Sequence, residues 1–250
     1  MEIKNRKIIV SGGVKGIGRS LVQKLIKEGA IVGVFDIDIN GLNKLKKTNK
    51  NIYCKRCDVG NNKEVEAAID EFFKKFKNID VLVNNAGFIY NSPLITLTSG
   101  GIKKHDVEMW HQVIETDLSS VFYMTANVVE KMILNRTKGV IVNISSICAA
   151  GNAGQCAYSA AKAGVNALTA TWAKELSLIG IRVVAVAPGY TETETMKHSM
   201  SEGLLQEMIR KVPLRRLGKV EEIADGIIAV IKNDFFNGKV FELDGGLVIN

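Results

Sequence analysis

The sequence is short of several residue types, and each shortage argues against a class of function. Only three prolines occur in 250 residues. No Pro- or Ser-rich linker, repeat or low-complexity segment divides the chain, so one domain over residues 1–250 is expected, long enough for a two-sided core. Aromatics make up 6% of the chain beside a hydrophobic share of 46%, as expected for a parallel sheet of Val and Ile between helices. No apolar stretch approaches membrane-spanning length. Ile8-Ile9-Val10 is too short for a secretory signal and runs directly into glycines, so a cytoplasmic protein with no membrane partner is expected. The net charge of +7 is spread along the chain. No long basic run or basic–aromatic alternation points to nucleic acid, so the charge reads as solvated surface. The histidines His105, His111 and His198 lie in no motif, and Gly-x-Ser-x-Gly is missing, which places a serine hydrolase last. Four cysteines include Cys54-Lys55-Arg56-Cys57, the spacing of a redox or metal pair. That segment reads as a strand, where residues three apart face opposite ways, so no metal site is expected and all four are taken as structural.

The chain is organised around the stretch from Gly139 to Gly164, GVIVNISSICAAGNAGQCAYSAAKAG. It reads as a buried strand (Val140 to Ile144), a serine pair, a loop of small residues and a helix opening at Tyr158. Tyr158 and Lys162 are four apart and share one face of that helix. A phenol with an ordinary pKa near ~10 exchanges protons poorly at neutral pH. An ammonium one turn away is expected to lower that pKa, and a serine hydroxyl at the strand end adds a second hydrogen bond to the same substrate oxygen. Serine, tyrosine and lysine together suit proton transfer at an alcohol or ketone oxygen.

This stretch resembles the active-site segment of the short-chain dehydrogenase/reductase family, and most of all its β-ketoacyl-[acyl carrier protein] reductase branch. The resemblance extends over nearly the whole chain. It implies a Rossmann-type doubly wound parallel sheet of the α/β class and a nicotinamide dinucleotide cofactor. It also implies a homotetramer built through the helices corresponding to Asp106–Asn135 and Tyr158–Ser177.

Near the N-terminus, the β-branched run Lys7 to Val10 leads into Ser11-Gly12-Gly13-Val14-Lys15-Gly16-Ile17-Gly18, after which a helix starts. A strand, a glycine loop and a helix N-terminus form a pyrophosphate cradle. The spacing Gly12-x-x-x-Gly16-x-Gly18 resembles the family's Thr-Gly-x-x-x-Gly-x-Gly, with Ser11 in place of Thr; Ile17 is counted with this cofactor loop. The next strand, Ile31 to Phe35, ends in Asp36, 18 residues after Gly18. A carboxylate there holds both ribose hydroxyls of NAD and repels the 2′-phosphate of NADP. Lys15 pulls towards NADP, as a basic residue does there in the family's NADP users. Asp36 is ranked above it because it sits where the ribose 2′ position falls, so NAD is the expected cofactor. A plain strand-end turn is the alternative reading of Asp36.

Asp58-Val59 resembles the family's adenine-contacting pair, and Asn84-Asn85-Ala86-Gly87 its cofactor-lining signature, in which small residues let backbone and cofactor approach. Pro188-Gly189, Thr191 and Thr193 resemble the segment whose backbone and threonine touch the nicotinamide amide. Thr191 to Arg210 is expected to be a mobile cover for substrate, with Met196 and Met200 as candidate apolar wall. Asp244-Gly245-Gly246 resembles the C-terminal signature.

Three features depart from the family pattern or leave a choice open. Gly87 to Trp110 spans 23 residues, several more than the acyl-carrier branch implies; the extra residues either shape the substrate pocket or decorate the surface. Asp117 stands where the family has a catalytic asparagine, on the buried stripe Val113, Asp117, Val121, Met124, Val128, Met132 of a helix expected over about 106–135. A buried carboxylate needs a partner, and a water-bridged partnership with Lys162 is expected. Ser145 precedes Tyr158 by 13 residues, the commoner family interval, whereas the strand count from Gly139 favours Ser146. Loops absorb deletions more readily than buried strands absorb frame shifts, so Ser146 is chosen.

The reading that follows is an NAD(P)-dependent oxidoreductase acting on a secondary alcohol or ketone. Tyr158 exchanges the proton, Ser146 orients the substrate oxygen, Lys162 holds the ribose and tunes Tyr158, and Asp117 is counted with them. The alternative substrate is a 3-oxoacyl-[acyl carrier protein]. A basic residue expected to dock an acidic carrier is Ile179 here, which leans towards a free small alcohol, sugar or sterol. A non-catalytic dinucleotide sensor on the same fold ranks below both, because it has no need of Tyr158 and Lys162.

Overall fold

The computed structural model describes residues 1–193 and 202–247, so Met196 and Met200 lie outside the described residues. Strands β1 (Lys7–Ser11), β2 (Ile31–Asp36), β3 (Ile52–Arg56) and β4 (Val81–Asn84) precede a hairpin of β5 (Ile95–Thr98) and β6 (Gly101–Lys104). Then come β7 (Val140–Ile144), β8 (Arg182–Pro188), β9 (Thr191–Glu192), β10 (Gly218–Lys219) and β11 (Val240–Leu243). Seven of these form one parallel sheet in the order β11-β8-β7-β4-β1-β2-β3. The chain moves outwards from β1 through β2 to β3, then returns to the other side of β1 with β4. The strand order reverses between β1 and β4, and ligands bind outside the carboxyl ends of the strands at such a point.

The helices are α1 (Gly16–Lys27), α2 (Ile39–Lys46), α3 (Asn62–Phe76), α4 (Val107–Ile114), α5 (Ser120–Leu134), α6 (Cys156–Leu176), α7 (Glu202–Lys211) and α8 (Val220–Lys232). Because side chains alternate along a strand, the sheet feeds two cores. Ile8, Val10, Val32, Val34, Val81, Val83, Val142 and Val184 pack with Leu21 and Leu25 of α1 and Ile227 and Ile231 of α8. Ile9, Phe35, Leu82, Ile141 and Val183 pack on the other face with Ile69 and Phe72 of α3 and Met124 and Val128 of α5. The same alternation puts Cys54 against the first core and Cys57 in the second.

A buried polar chain ties the active-site helix to the sheet. The Asn84 amide donates to Thr125 Oγ1 at 3.0 Å and to Asn143 Oδ1 at 2.9 Å, and the Asn143 amide donates to Thr169 Oγ1 of α6 at 2.9 Å. Every link lies in the interior, where an unpaired partner would cost about 1–3 kcal/mol. The register of α6 on the sheet is fixed this way.

The helix expected over about 106–135 is present with one local change: α4 ends at Ile114, and a π-helical turn, Glu115–Ser119, joins it to α5. The wider turn re-aims the side chains it carries, and Asp117 is one of them. The extra residues after Gly87 form the β5–β6 hairpin, with Leu97 opposite Ile102 across a Ser99-Gly100 turn. Both side chains are exposed, at 80% and 72%.

Candidate active site

The glycine loop between β1 and α1 is built without room for side chains. Gly12 and Gly16 have φ of +66° and +56°, the left-handed region that favours glycine. A Cβ on Gly18 would fall 2.2 Å from the Gly12 carbonyl oxygen, and one on Gly12 would fall 2.8 Å from Ala86 Cα. At the start of α1, Lys15 supplies no side-chain cap, so the first helical N–H groups remain available to an anion. A shallow cradle closed to a Cβ, over an uncapped helix N-terminus, fits the pyrophosphate of a dinucleotide.

Ser11 and Asn85 join the two loops that flank this cradle. Ser11 Oγ accepts from the Asn85 and Ala86 N–H groups at 3.0 and 3.1 Å, and the Asn85 amide donates to the Ser11 and Gly12 carbonyls at 3.0 and 2.8 Å. Ile17 packs against the first core. Asp36 ends β2 beside the loop and is nearly buried. Its carboxylate accepts from Val14 N–H at 3.2 Å and Asp38 N–H at 3.0 Å. Each oxygen keeps further lone-pair capacity for a ribose hydroxyl. Lys15 is exposed. At the tip of β3, Asp58 accepts from Gly60 N–H at 3.0 Å while Val59 is buried. On the far side, Gly189 donates its N–H to Leu243, and Thr191 Oγ1 donates to the Gly189 carbonyl at 3.0 Å. Thr193 Cγ2 lies 3.9 Å from where a Gly16 Cβ would sit, which brings the segment after Pro188 across the cradle.

The proton-handling groups gather where β4 and β7 end. The Tyr158 phenol lies in the first turn of α6, and the Ser146 hydroxyl acts on it to favour its anion. Ser146 Oγ also accepts from Cys148 N–H at 3.2 Å. Ser145 faces the other way, donating to the Lys162 backbone carbonyl at 3.4 Å. Adjacent residues continuing a strand point to opposite faces, and of the two serines it is Ser146 that acts on the phenol. Lys162 is buried, with Nζ donating to the Ile144 carbonyl at 3.0 Å and lying 5.5 Å from the Tyr158 ring centroid.

The electrostatics differ from the sequence expectation. Burial pushes the Tyr158 phenol well above the ordinary tyrosine value; the Asp117 charge adds to this, and the Ser146 hydroxyl opposes it. The Lys162 ammonium, the expected source of a lowering, is hydrogen-bonded to the Ile144 carbonyl and lies 5.5 Å from the phenol ring centroid. Asp117 is fully buried. Its Oδ1 accepts from Phe88 N–H at 2.9 Å, and Oδ2 has no partner among the described residues. Burial raises its carboxyl to about 6, against the pull of Lys162 and of the Phe88 N–H. Gly87 stands between the two charged groups: a Cβ there would fall 2.3 Å from Asp117 Oδ1 and 3.5 Å from Lys162 Nζ.

Two participants are backbone groups with no signal in the sequence, the Phe88 N–H and the Ile144 carbonyl. Asn152, whose side-chain amide donates to Gln155 Oε1 at 2.9 Å, and Gln155, whose amide donates to Asn91 at 2.8 Å, tie the loop before α6 to the loop that leads into the hairpin.

Comparison with known proteins agrees with this geometry. The sequence model of the short chain dehydrogenase family matches residues 6–203. The 3-oxoacyl-[acyl-carrier-protein] reductase FabG of Thermotoga maritima is 36% identical, covering 100% of both chains. Human 3-hydroxyacyl-CoA dehydrogenase type-2 is 33% identical over 98% of this chain and 96% of its own. The crystal structure of gox2181 superposes with a TM-score of 0.88 at 27% identity, covering 97% of this chain and 95% of that one. With its parallel sheet, glycine cradle and Ser146–Tyr158–Lys162 cluster, the chain belongs to the short-chain dehydrogenase/reductase family.

Proposed function

We propose that this oxidoreductase interconverts a secondary alcohol and a ketone with NAD as its preferred dinucleotide, and that Tyr158 exchanges the proton of the substrate oxygen. The observation that carries this reading is the buried cluster of Ser146, Tyr158 and Lys162, in which the Lys162 ammonium lies 5.5 Å from the phenol ring centroid and the Ser146 hydroxyl favours the tyrosinate. When bound, the nicotinamide supplies or accepts the hydride. The uncapped N-terminus of α1 and the glycine loop bind the pyrophosphate. Asp36 takes the ribose hydroxyls, and Asp58 with Val59 borders the adenine. Asn85, Ala86 and Gly87 line the middle of the cofactor, and Pro188, Gly189, Thr191 and Thr193 border the nicotinamide end. Ser146 donates to the substrate oxygen and orients it towards Tyr158. Tyr158 then gives its proton in the reductive direction or takes one in the oxidative direction. Lys162 holds a positive charge beside the phenol ring, and that charge favours the tyrosinate more as the phenol loses its proton.

The NAD preference rests on the Asp36 carboxylate at the cradle. A 2′-phosphate placed a few Å from it, in partly desolvated surroundings, is disfavoured by a few kcal/mol. Asp36→Ser is therefore expected to lower the NAD-over-NADP ratio of kcat/KM by about 10- to 100-fold. Equal efficiency with both dinucleotides in the parent would contradict this reading.

A second substrate reading, reduction of a 3-oxoacyl thioester, is supported by the FabG and 3-hydroxyacyl-CoA dehydrogenase relatives. Against carrier docking stands Ile179, half-exposed and apolar where a basic residue is expected. Turnover of small ketones, sugars and sterols beside an acyl-carrier substrate separates the two: a carrier thioester as sole substrate would overturn the first.

For assembly, we infer a homotetramer through α4, α5 and α6. Its support is apolar surface on α5, where Phe122 and Leu134 are 52% and 71% exposed. Light scattering at micromolar concentration is expected to give four chains, and a monomer would overturn this. None of the described helices is long and apolar enough to cross a membrane.

A further inference from the structure

The segment between Ser146 and Tyr158 carries few side chains that could hold it in place. Ile147 to Gln155 includes three alanines and two glycines, and Asn152 and Gln155 are its only residues with side-chain amides. This segment nevertheless sets where Ser146 stands relative to Tyr158. Ser146 caps the 3-10 turn Ile147–Ala150, its Oγ accepting from Cys148 N–H at 3.2 Å. A hydroxyl has one proton to give and two lone pairs to accept with. A cap that occupies a lone pair leaves the Ser146 proton for the substrate oxygen, and its aim depends on where Cys148 is held. Asn152 holds it. The Asn152 amide donates to Cys148 Sγ at 3.7 Å and to Gln155 Oε1 at 2.9 Å, which takes up both of its protons. The Asn152 backbone N–H donates to Ser159 Oγ at 3.2 Å, one residue after Tyr158 on α6. Gln155 anchors the other end: its amide donates to Asn91 Oδ1 at 2.8 Å, and its backbone pairs with Ser92 in the loop after β4. Asn152 thus joins the serine turn, the tyrosine helix and the loop that leads to the hairpin.

We propose that Asn152 is a positioning residue, which fixes the Ser146 hydroxyl against the substrate oxygen by holding Cys148. The inference rests on the oxidoreductase reading of the site, in which Ser146 orients that oxygen. A cysteine sulfur is a weak acceptor, so the contact from Asn152 adds little to stability and acts on direction instead. Cys148 is buried in the same cluster as Tyr158, Ala157 and Ala161, so a turn released at Cys148 moves the serine relative to the phenol. Reacting groups have to be held to within roughly 0.5 Å, and a displacement of about 1 Å costs up to about 10²-fold in rate. Loss of the Asn152 side chain leaves the Cys148 N–H on Ser146 and the Asn152 N–H on Ser159, since both are backbone donors. The turn therefore loosens without unravelling, and the loss of rate is expected to be partial, about ten-fold.

Asn152→Ala and Cys148→Ala cut the same contact from its two ends, and both are compared with Ser146→Ala. With a ketone that the parent reduces, each of the first two is expected to lower kcat about ten-fold, while dinucleotide Kd and Tm stay close to parental. Residues that act as a unit are not additive. The double variant Asn152→Ala/Cys148→Ala is therefore expected to fall no further than either single one, and Asn152→Ala is expected to leave the residual rate of Ser146→Ala unchanged. A parental kcat in Asn152→Ala would overturn the proposal. So would the same loss of rate from Asn152→Ala in the Ser146→Ala background, which is what a residue that merely supports the fold would give. If Asn152→Ala shows no folding transition, Cys148→Ala, alone and combined with Ser146→Ala, decides by the same two comparisons. Failure of the parent to reduce any ketone, or full activity in Ser146→Ala, would count against the functional reading and would take the proposal with it.

Discussion

Tyr158→Phe is expected to lower kcat by about 10²- to 10⁴-fold, the span over which a positioned general acid or base contributes, while dinucleotide affinity stays nearly unchanged. The ring is buried against Cys148, Ala157 and Ala161, and phenylalanine keeps that packing. What disappears is the exchangeable proton. The glycine cradle, the α1 N-terminus and Asp36 are untouched, so dinucleotide binding, followed by fluorescence or calorimetry, reports a site that still forms. Near-parental turnover in the variant would remove Tyr158 from the mechanism. The raised phenol makes the effect sharper in the oxidative direction. A buried tyrosine must lose its proton before it can act as base, so oxidation by the parent is expected to rise towards alkaline pH.

The second large effect concerns stability, again at one atom cluster. Asp117 titrates near its ordinary value of 3.8 when the chain is unfolded and near about 6 when folded. Below about pH 4 both states hold the proton and burial carries no electrostatic penalty. As pH rises through 6 the folded protein must either ionise a buried acid or keep a proton the unfolded chain has already released. A shift of about two pK units corresponds to roughly 3 kcal/mol that is present at low pH and lost by neutrality. Asparagine keeps the bond to Phe88 N–H and removes the titration. The stability of Asp117→Asn relative to the parent is therefore expected to increase by about 2–3 kcal/mol between about pH 4 and pH 8. For a chain of this size that is a widening of the Tm gap by roughly 5–10 °C. A gap that is the same at both ends of the range would show that Asp117 is not held above its ordinary value.

Where hydrophobic pattern and glycine spacing decide the structure, the chain could be read directly. β1, β2, β4, β7 and β8 are runs of Val and Ile, and parallel strands covered on both faces require such runs. Ser11 to Gly18 and Tyr158 with Lys162 carry their geometry in their spacing, because a loop closed to Cβ atoms and one face of a helix are both short-range facts. The stripe from Val113 to Met132 was legible as buried, since the side chains return to one face across the π-helical turn. The turn itself was not, because it is a matter of backbone hydrogen bonding. The hairpin was missed for another reason. Ile95, Leu97 and Ile102 alternate over only a few residues and bury nothing, so pattern cannot tell them from loop. The serine choice turned on strand phase, which a sequence gives only if the strand end is fixed. Least legible was the charge balance around Tyr158. Position four residues away placed the Lys162 ammonium by the phenol ring, but it could not show that burial, the larger effect, raises the phenol. In the same way the partner of Asp117 is a backbone N–H that no side-chain reading could name.

Hydride transfer to a carbonyl carbon is the chemistry on which every role assigned here depends, and isotope transfer tests it most directly. Deuterium is placed at C4 of the reduced dinucleotide, on either face in turn, and the alcohol product of a reduced ketone is examined by mass spectrometry and NMR. The expected result is one deuterium per product molecule, bonded to the carbinol carbon, from one of the two labelled faces, with none exchanged into water. Product alcohol free of label from both faces, or label recovered in solvent, would contradict direct hydride transfer at this site.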